Sequence, residues 1–191
     1  EDAVIISERV LKKDFYSSIY RECIIASPNW LVKRDCFEND FQFSDLQYPE
    51  DYDMVFKWYL CRKTIVSVNE VTHMWREHEA RTSRHYDDYQ QDSFFKLKTN
   101  YFVDLELKGE EKIQLIGAGI KGKLVAKILV ERKIYFDWFD FKADQNSNQI
   151  ANRKIKKIND LKHDKKTILT AWPMDEKTQQ EILHFCEERG F

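Results

Sequence analysis

Apolar positions recur along the chain with two different periods. They divide it into a front of helices and loops and a back of alternating strands and helices. After Pro49, the residues Tyr52, Val55, Phe56, Tyr59 and Leu60 fall at helical spacing and predict an amphipathic helix. Its start, Glu50-Asp51, is left at an exposed lip, with Asp51 as the cap. Thr64-Ile65-Val66-Ser67-Val68 reads as a strand, from which the chain returns through residues 71–75. Phe94, Phe95, Leu97, Tyr101, Phe102 and Leu105 predict one long helix, closed by Lys108 and a Gly109 C-cap. Upstream, residues 4–20 read as a strand end or a helix. Residues 23–32 are apolar with a break at Pro28, residues 33–37 predict a short helix, and Phe41, Phe43, Leu46 and Tyr48 mark a loop.

The back begins with Lys112-Ile113-Gln114-Leu115-Ile116, a short buried-type strand. Gly117-Ala118-Gly119-Ile120-Lys121-Gly122 then forms a G-x-G-x-x-G turn into a helix with Leu124, Val125, Ile128 and Leu129 inward. A second strand follows over residues 134–140. Residues 154–161 form a connection to a third strand over residues 167–172. Asp175 caps a last helix with Ile182, Leu183 and Cys186 inward. This strand–turn–helix–strand order is the context a Rossmann fingerprint requires. Glycines permit a tight turn and close approach of phosphate to a helix N-terminus. Asp140, 18 residues beyond Gly122, lies close to where an acidic residue meets a ribose. Gly117, Gly119, Gly122 and Asp140 are therefore the candidate nucleotide-binding set. The same glycines also serve helix–strand packing alone.

Charge sharpens the division. The net charge of −2 argues against a general nucleic-acid binder. It hides 15 Lys/Arg against 21 Asp/Glu in residues 1–110, and 16 against 12 in residues 111–191. We therefore expect one domain over residues 1–109 and a second over residues 110–191. Cys23, Cys36, Cys61 and Cys186 are dispersed, without a C-x-x-C pair, as reduced thiols of a cytoplasmic protein would be. No apolar run approaches the roughly 20 residues of a membrane span, and the start has no signal-peptide pattern.

The chemistry of the front rests on two stretches. A carboxylate at a helix start is kept ionised by free backbone N–H groups, and an ionised carboxylate facing a cleft is what a general base needs. Asp51 fits that description, and it fits equally the description of a simple cap. The second stretch is Trp75-Arg76-Glu77-His78, followed by Arg81, Ser83 and Arg84. A Glu50-Asp51-x-Asp53 helix start, a strand, then W-R-x-H-x-x-R-x-S resembles the acceptor-side half of inverting family 2 glycosyltransferases of the GT-A fold, over roughly residues 15–105. The resemblance implies Asp51 as the base that deprotonates an acceptor hydroxyl, with Glu50 as its helper. It implies His78 beside the donor diphosphate and its Mg²⁺ or Mn²⁺, with Arg76 or Arg84 assisting. Trp30 is the candidate for stacking on a sugar ring; a core or interface role suits it as well.

The expected fold class is α/β: an acceptor-side half of a GT-A-type fold plus a small three-stranded Rossmann-like α/β domain, of the kind attached to sugar-handling enzymes. The resemblance implies polysaccharide biosynthesis, a nucleotide-sugar donor, and a glycan or lipid-linked acceptor with peripheral membrane contact. No Asp-x-Asp in suitable context precedes Pro49. The resemblance thus implies a transferase truncated at its front, inactive as the fragment alone. Two other readings stand beside it. One is a nucleotide- or nucleotide-sugar-binding module without catalysis. The other is a structural or oligomerising tail with the aromatic residues of 86–105 as a partner surface.

Overall fold

The helix expected after Pro49 forms over Glu50–Leu60 (α1). It belongs to a computed structural model that describes residues 15–23, 25, 27–37, 42–44, 49–68, 70, 74, 91–107, 109, 112–141, 149–150, 153–162, 164–170 and 176–188. The chain divides into two compact units, Glu1–Leu105 and Glu106–Phe191.

In the first unit α1 is the core. Tyr52, Met54, Val55, Phe56 and Trp58 are all buried, and so is Asp53. The buried surface is wider than the expected stripe, because other segments cover the helix on more than one side. Leu60, expected inward, lies 57% exposed at the helix end. The long helix forms over Gln91–Glu106 (α2) and packs Phe94, Leu97, Tyr101 and Leu105 against the α1 cluster. Tyr101 stacks on Phe56 with ring centres 4.4 Å apart and planes 6° from parallel. Just past α2, Gly109 has φ +97°, a left-handed conformation that suits glycine. Single 3₁₀ turns occupy Phe15–Ser18, Ser27–Asn29 and Arg34–Phe37, the last where a short helix is expected. Tyr52 donates its hydroxyl to the Ile19 carbonyl, and Tyr16 donates to the Lys63 carbonyl at 2.7 Å.

Residues 64–68 do not form the expected strand. Their side chains do alternate: Ile65 and Ser67 are half-buried, while Thr64, Val66 and Val68 are exposed. A strand exists only as a member of a ladder, and no described residue pairs with this segment.

These buried hydroxyls and a thiol make a pH prediction. Burial, then the neighbouring Cys61, pushes Tyr16 from 10 up to about 12. Burial, then the Asp51 carboxylate, pushes Cys23 from 9 up to about 12, against the lowering effect of its bond to the Ile25 carbonyl. Tyr52 and Tyr101 shift upward as well, burial being the main cause in both. The folded chain holds these protons to higher pH than the unfolded chain, so unfolding releases them. The stability they contribute is complete below about pH 9 and is lost as pH rises toward about 12. The urea midpoint of the first unit should fall measurably between neutral pH and about pH 11. An unchanged midpoint would contradict these shifts.

The second unit is a sheet with helices. Strands β1 (Ile113–Ile116), β2 (Phe136–Asp140), β3 (Gln149–Ile150), β4 (Arg153–Lys157) and β5 (Thr167–Leu169) form it in the order β3-β4-β2-β1-β5. Four strands are parallel, and β3 is an antiparallel edge on β4. The expectation of three strands is therefore too small. The region expected as a connection, residues 154–161, supplies most of β4 and a 3₁₀ turn, Ile158–Asp160. Helix α3 (Ile120–Glu131) links β1 to β2, and α4 (Glu176–Glu188) ends the described chain.

Strand β1 is buried along its whole length, as a central parallel strand is. Its one polar member, Gln114, is fully buried and satisfied. The side chain donates to the Lys162 carbonyl at 2.8 Å and accepts from the Lys162 N–H at 2.8 Å. Gly122, Val125, Ala126 and Leu129 are the buried residues of α3, with Leu124 and Ile128 half-buried. On α4, Ile182 is buried and Cys186 half-buried, but Leu183 is 40% exposed rather than inward. Phe185 of α4 packs with Ile158 on the cluster of Ile116, Phe139 and Leu161. Among the described residues no helix is long and apolar enough to cross a membrane.

Candidate functional site

The start of α1 gathers acidic side chains at the positive end of the helix. Pro49 occupies the cap position and makes no side-chain cap bond, so the expected Asp51 cap is displaced into the first turn. Pro has no N–H to satisfy and its ring favours a helix start. From the first turn, Asp51 Oδ1 accepts the Tyr52 N–H at 2.7 Å. Among the described residues no hydrogen bond reaches its Oδ2. Glu50 Oε2 is buried and has no hydrogen-bond partner among the described residues. Both residues are half-buried rather than exposed at a lip. The Asp51 charge is felt by the Cys23 thiol, which bonds the Ile25 carbonyl at 3.5 Å. The helix start therefore lies beside the segment that contains Cys23 and Ile25.

Trp30 belongs to the same neighbourhood but is engaged by protein. Its Nε1 donates to the Ile25 carbonyl at 3.1 Å. Trp58 meets its ring edge-on with centres 4.7 Å apart, and Phe43 lies nearly parallel at 6.4 Å. The packing alternative accounts for all of these contacts. Arg76, His78 and Arg84 lie outside the described residues. Among the described residues, no three His, Cys, Asp or Glu side chains come together as a group able to hold a metal ion.

Asp53 is the residue that pattern reading did not single out. It is 4% exposed. Tyr101 donates to its Oδ1 at 2.7 Å and Ser44 to its Oδ2 at 2.6 Å, while Lys57 lies 3.1 Å from Oδ2. Lys57 also donates to the Gln42 carbonyl at 2.8 Å and to Ser44 Oγ at 2.6 Å. The available signal was a charge placed between Tyr52 and Met54 in the first turn of an aromatic helix.

In the second unit the glycine-rich turn sits where the sheet changes direction. In chain order the four parallel strands lie 3-2-1-4, so the sheet grows one way from β1 to β2 and β4, and the other way to β5. Ligands of open α/β sheets bind outside the carboxyl ends of the strands at such a switch point. Gly117 follows β1 with φ +104°. Its N–H bonds the Phe139 carbonyl at 2.8 Å, and its carbonyl accepts the Trp138 Nε1–H at 2.9 Å. Gly122 lies against that carbonyl: a Cβ there would come within 1.8 Å of Gly117 O. Gly119 caps α3 in ordinary extended conformation, and a Cβ there would meet nothing within 4 Å.

Two of the three glycines are thus required by the fold, and Gly119 is not. Asp140 Oδ2 accepts the Ala118 N–H at 2.6 Å, which ties the end of β2 to the glycine turn. On the same strand Asp137 is paired differently. Burial raises its pKa, but hydrogen bonds from Lys156 and Lys165 outweigh that and hold it below the usual carboxylate range.

Compared with known proteins, the chain matches no family model, no curated protein and no solved structure.

Proposed function

We propose that residues 1–105 are the acceptor-side part of an inverting glycosyltransferase, with Asp51 as the general base. The observation that carries this reading is the acidic start of α1, where Glu50 Oε2 is buried with no hydrogen-bond partner among the described residues. Buried polar atoms are nearly always hydrogen-bonded, and an exception calls for an explanation. Among the described residues Glu50 Oε2 is buried without a donor, and next to it in sequence Asp51 uses Oδ1 for the Tyr52 N–H. A sugar alcohol supplies the missing donors. In the proposed step the acceptor O–H proton passes to Asp51 Oδ2. The acceptor oxygen bonds the anomeric carbon, and the bond from that carbon to the leaving nucleoside diphosphate breaks on the opposite face. Glu50 orients the acceptor by accepting a second hydroxyl. The nucleotide-sugar and the glycan or lipid-linked acceptor remain the proposed partners. The test is transfer from a panel of nucleotide-sugars by the complete protein and by its Asp51→Asn variant. Unchanged transfer in that variant removes Asp51 from the chemistry.

The second unit supports a separate reading, a nucleotide or nucleotide-sugar site at the turn of residues 117–122. The observation favouring it is Gly119, whose missing side chain no protein contact requires, at the switch point of a 3-2-1-4 sheet. Calorimetry with NAD(H), NADP(H) and UDP-sugars should give heat with at least one, and none with Gly119→Val. Silence across the panel would leave the turn a packing device.

A further inference from the structure

Asp53 lies in the same first turns of α1 as the two candidate carboxylates, yet it faces the interior. It is 4% exposed inside a core of aromatic rings. Ion pairs in such places are seldom needed for stability, because well-packed apolar residues often serve as well or better. What this one does is fasten three pieces of chain together. Oδ1 takes the Tyr101 hydroxyl from α2, and Oδ2 takes the Ser44 hydroxyl from the segment entering Pro49. Lys57, one turn along α1, grips the same segment through the Gln42 carbonyl and Ser44 Oγ. The Asp53 N–H bonds the Pro49 carbonyl at 3.0 Å, closing the turn that carries Glu50 and Asp51.

We propose that Asp53 is a positioning residue: its carboxylate, with Lys57, Ser44 and Tyr101, fixes the first turn of α1 and so sets where the Asp51 carboxylate stands. The inference rests on the reading of Asp51 as base. Its structural half can be tested without that reading, because Cys23 is a natural reporter. The Asp51 carboxylate is the neighbouring charge that raises the Cys23 thiol. A change at Cys23 on altering Asp53 therefore reports a displaced Asp51 or loosening of the unit. Cys36 and Cys61, both half-buried in that unit, report loosening.

The experiment is iodoacetamide alkylation of the 191-residue chain, followed cysteine by cysteine by peptide mass spectrometry across mildly alkaline pH. The thiolate is the reacting form. Asp51→Asn should raise the Cys23 rate several-fold. Asp53→Asn should raise it part of the way, with Cys36 and Cys61 at wild-type rates. Ser44→Ala, which removes the bonds to Asp53 and from Lys57, and Tyr101→Phe, which removes one bond, change no charge and should shift Cys23 in the same direction if Asp53→Asn does not fold. Three results would overturn the proposal. Cys23 stays at the wild-type rate in the Asp53, Ser44 and Tyr101 variants; all three cysteines accelerate together; or Asp51→Asn leaves Cys23 unmoved, which removes the neighbourhood on which the argument stands.

In the complete protein, Asp53→Asn should lower kcat while the donor KM stays within about twofold, the split expected when an interaction felt in the transition state is lost. Absence of transfer in the wild-type protein would refute the base reading and leave the Cys23 result standing. Equal kcat in Asp53→Asn and wild type would refute positioning and leave the base reading standing.

Discussion

Replacing Asp51 by Asn in the complete protein should lower kcat by roughly 10²–10⁴-fold, the usual contribution of a positioned base. Donor affinity should hardly change. The substitution is informative because it costs the fold little. An amide oxygen can still accept the Tyr52 N–H that Oδ1 now takes at 2.7 Å. What is lost is the negative charge at the helix start, worth about 0.3–1 kcal/mol, and the ability to hold a proton. A melting temperature within a few degrees of wild type, with transfer gone and donor binding retained, is the expected combination. Retained transfer would reduce Asp51 to a partner for one backbone N–H. Glu50→Gln should be milder, since an amide oxygen still accepts a hydroxyl and only half of the group changes.

The parts of the fold that were legible in the sequence are those whose signal lies within one element. Strand β1 is a nearly continuous apolar run, β2 carries three aromatic residues in five, and glycines punctuate the passage from β1 to α3. The stop of α2 near Gly109 was readable for the same reason. Strand β4 was not readable, because Arg153-Lys154-Ile155-Lys156-Lys157 contains one apolar residue. Its cations are accommodated by partners on β2: Arg153 lies 4.5 Å over the Phe136 ring, and Lys156 meets Asp137 at 2.7 Å. No inspection of β4 alone reveals those partners.

The candidate site shows the same divide. The acidic helix start was visible as a cluster in sequence, but the role of Asp53 depends on Ser44 and Tyr101, which lie 9 and 48 positions away. Periodicity also overreached. Leu60 and Leu183 fall at inward spacing, yet Leu60 is exposed at the end of α1 and Leu183 is exposed in the middle of α4, beside the buried Ile182. For residues 64–68 the alternation of buried and exposed side chains was legible, but no described residue pairs with them to make a ladder.

The three glycines of the second unit should separate cleanly by substitution, and that separation decides what the turn is for. Gly122→Ala places a methyl group 1.8 Å from the Gly117 carbonyl oxygen and 2.7 Å from its carbon. Both atoms belong to backbone that is already bonded, through the Gly117 N–H to Phe139 and through the carbonyl to Trp138. The turn cannot yield without breaking those bonds, so the cost should reach roughly 3 kcal/mol, the upper end for overpacking. Gly117→Ala should cost about 1–2 kcal/mol, because φ +104° is unfavourable for an L side chain. Gly119→Ala should be close to neutral, since its backbone is ordinary and its surroundings are open. Urea unfolding of the three variants reads this order directly. If Gly119→Ala is as stable as wild type and ligand binding is lost in Gly119→Val, the open side of the turn is where a nucleotide lies. If Gly119→Ala destabilises as much as Gly122→Ala, the turn serves packing throughout, and the case for a ligand at the switch point falls with it.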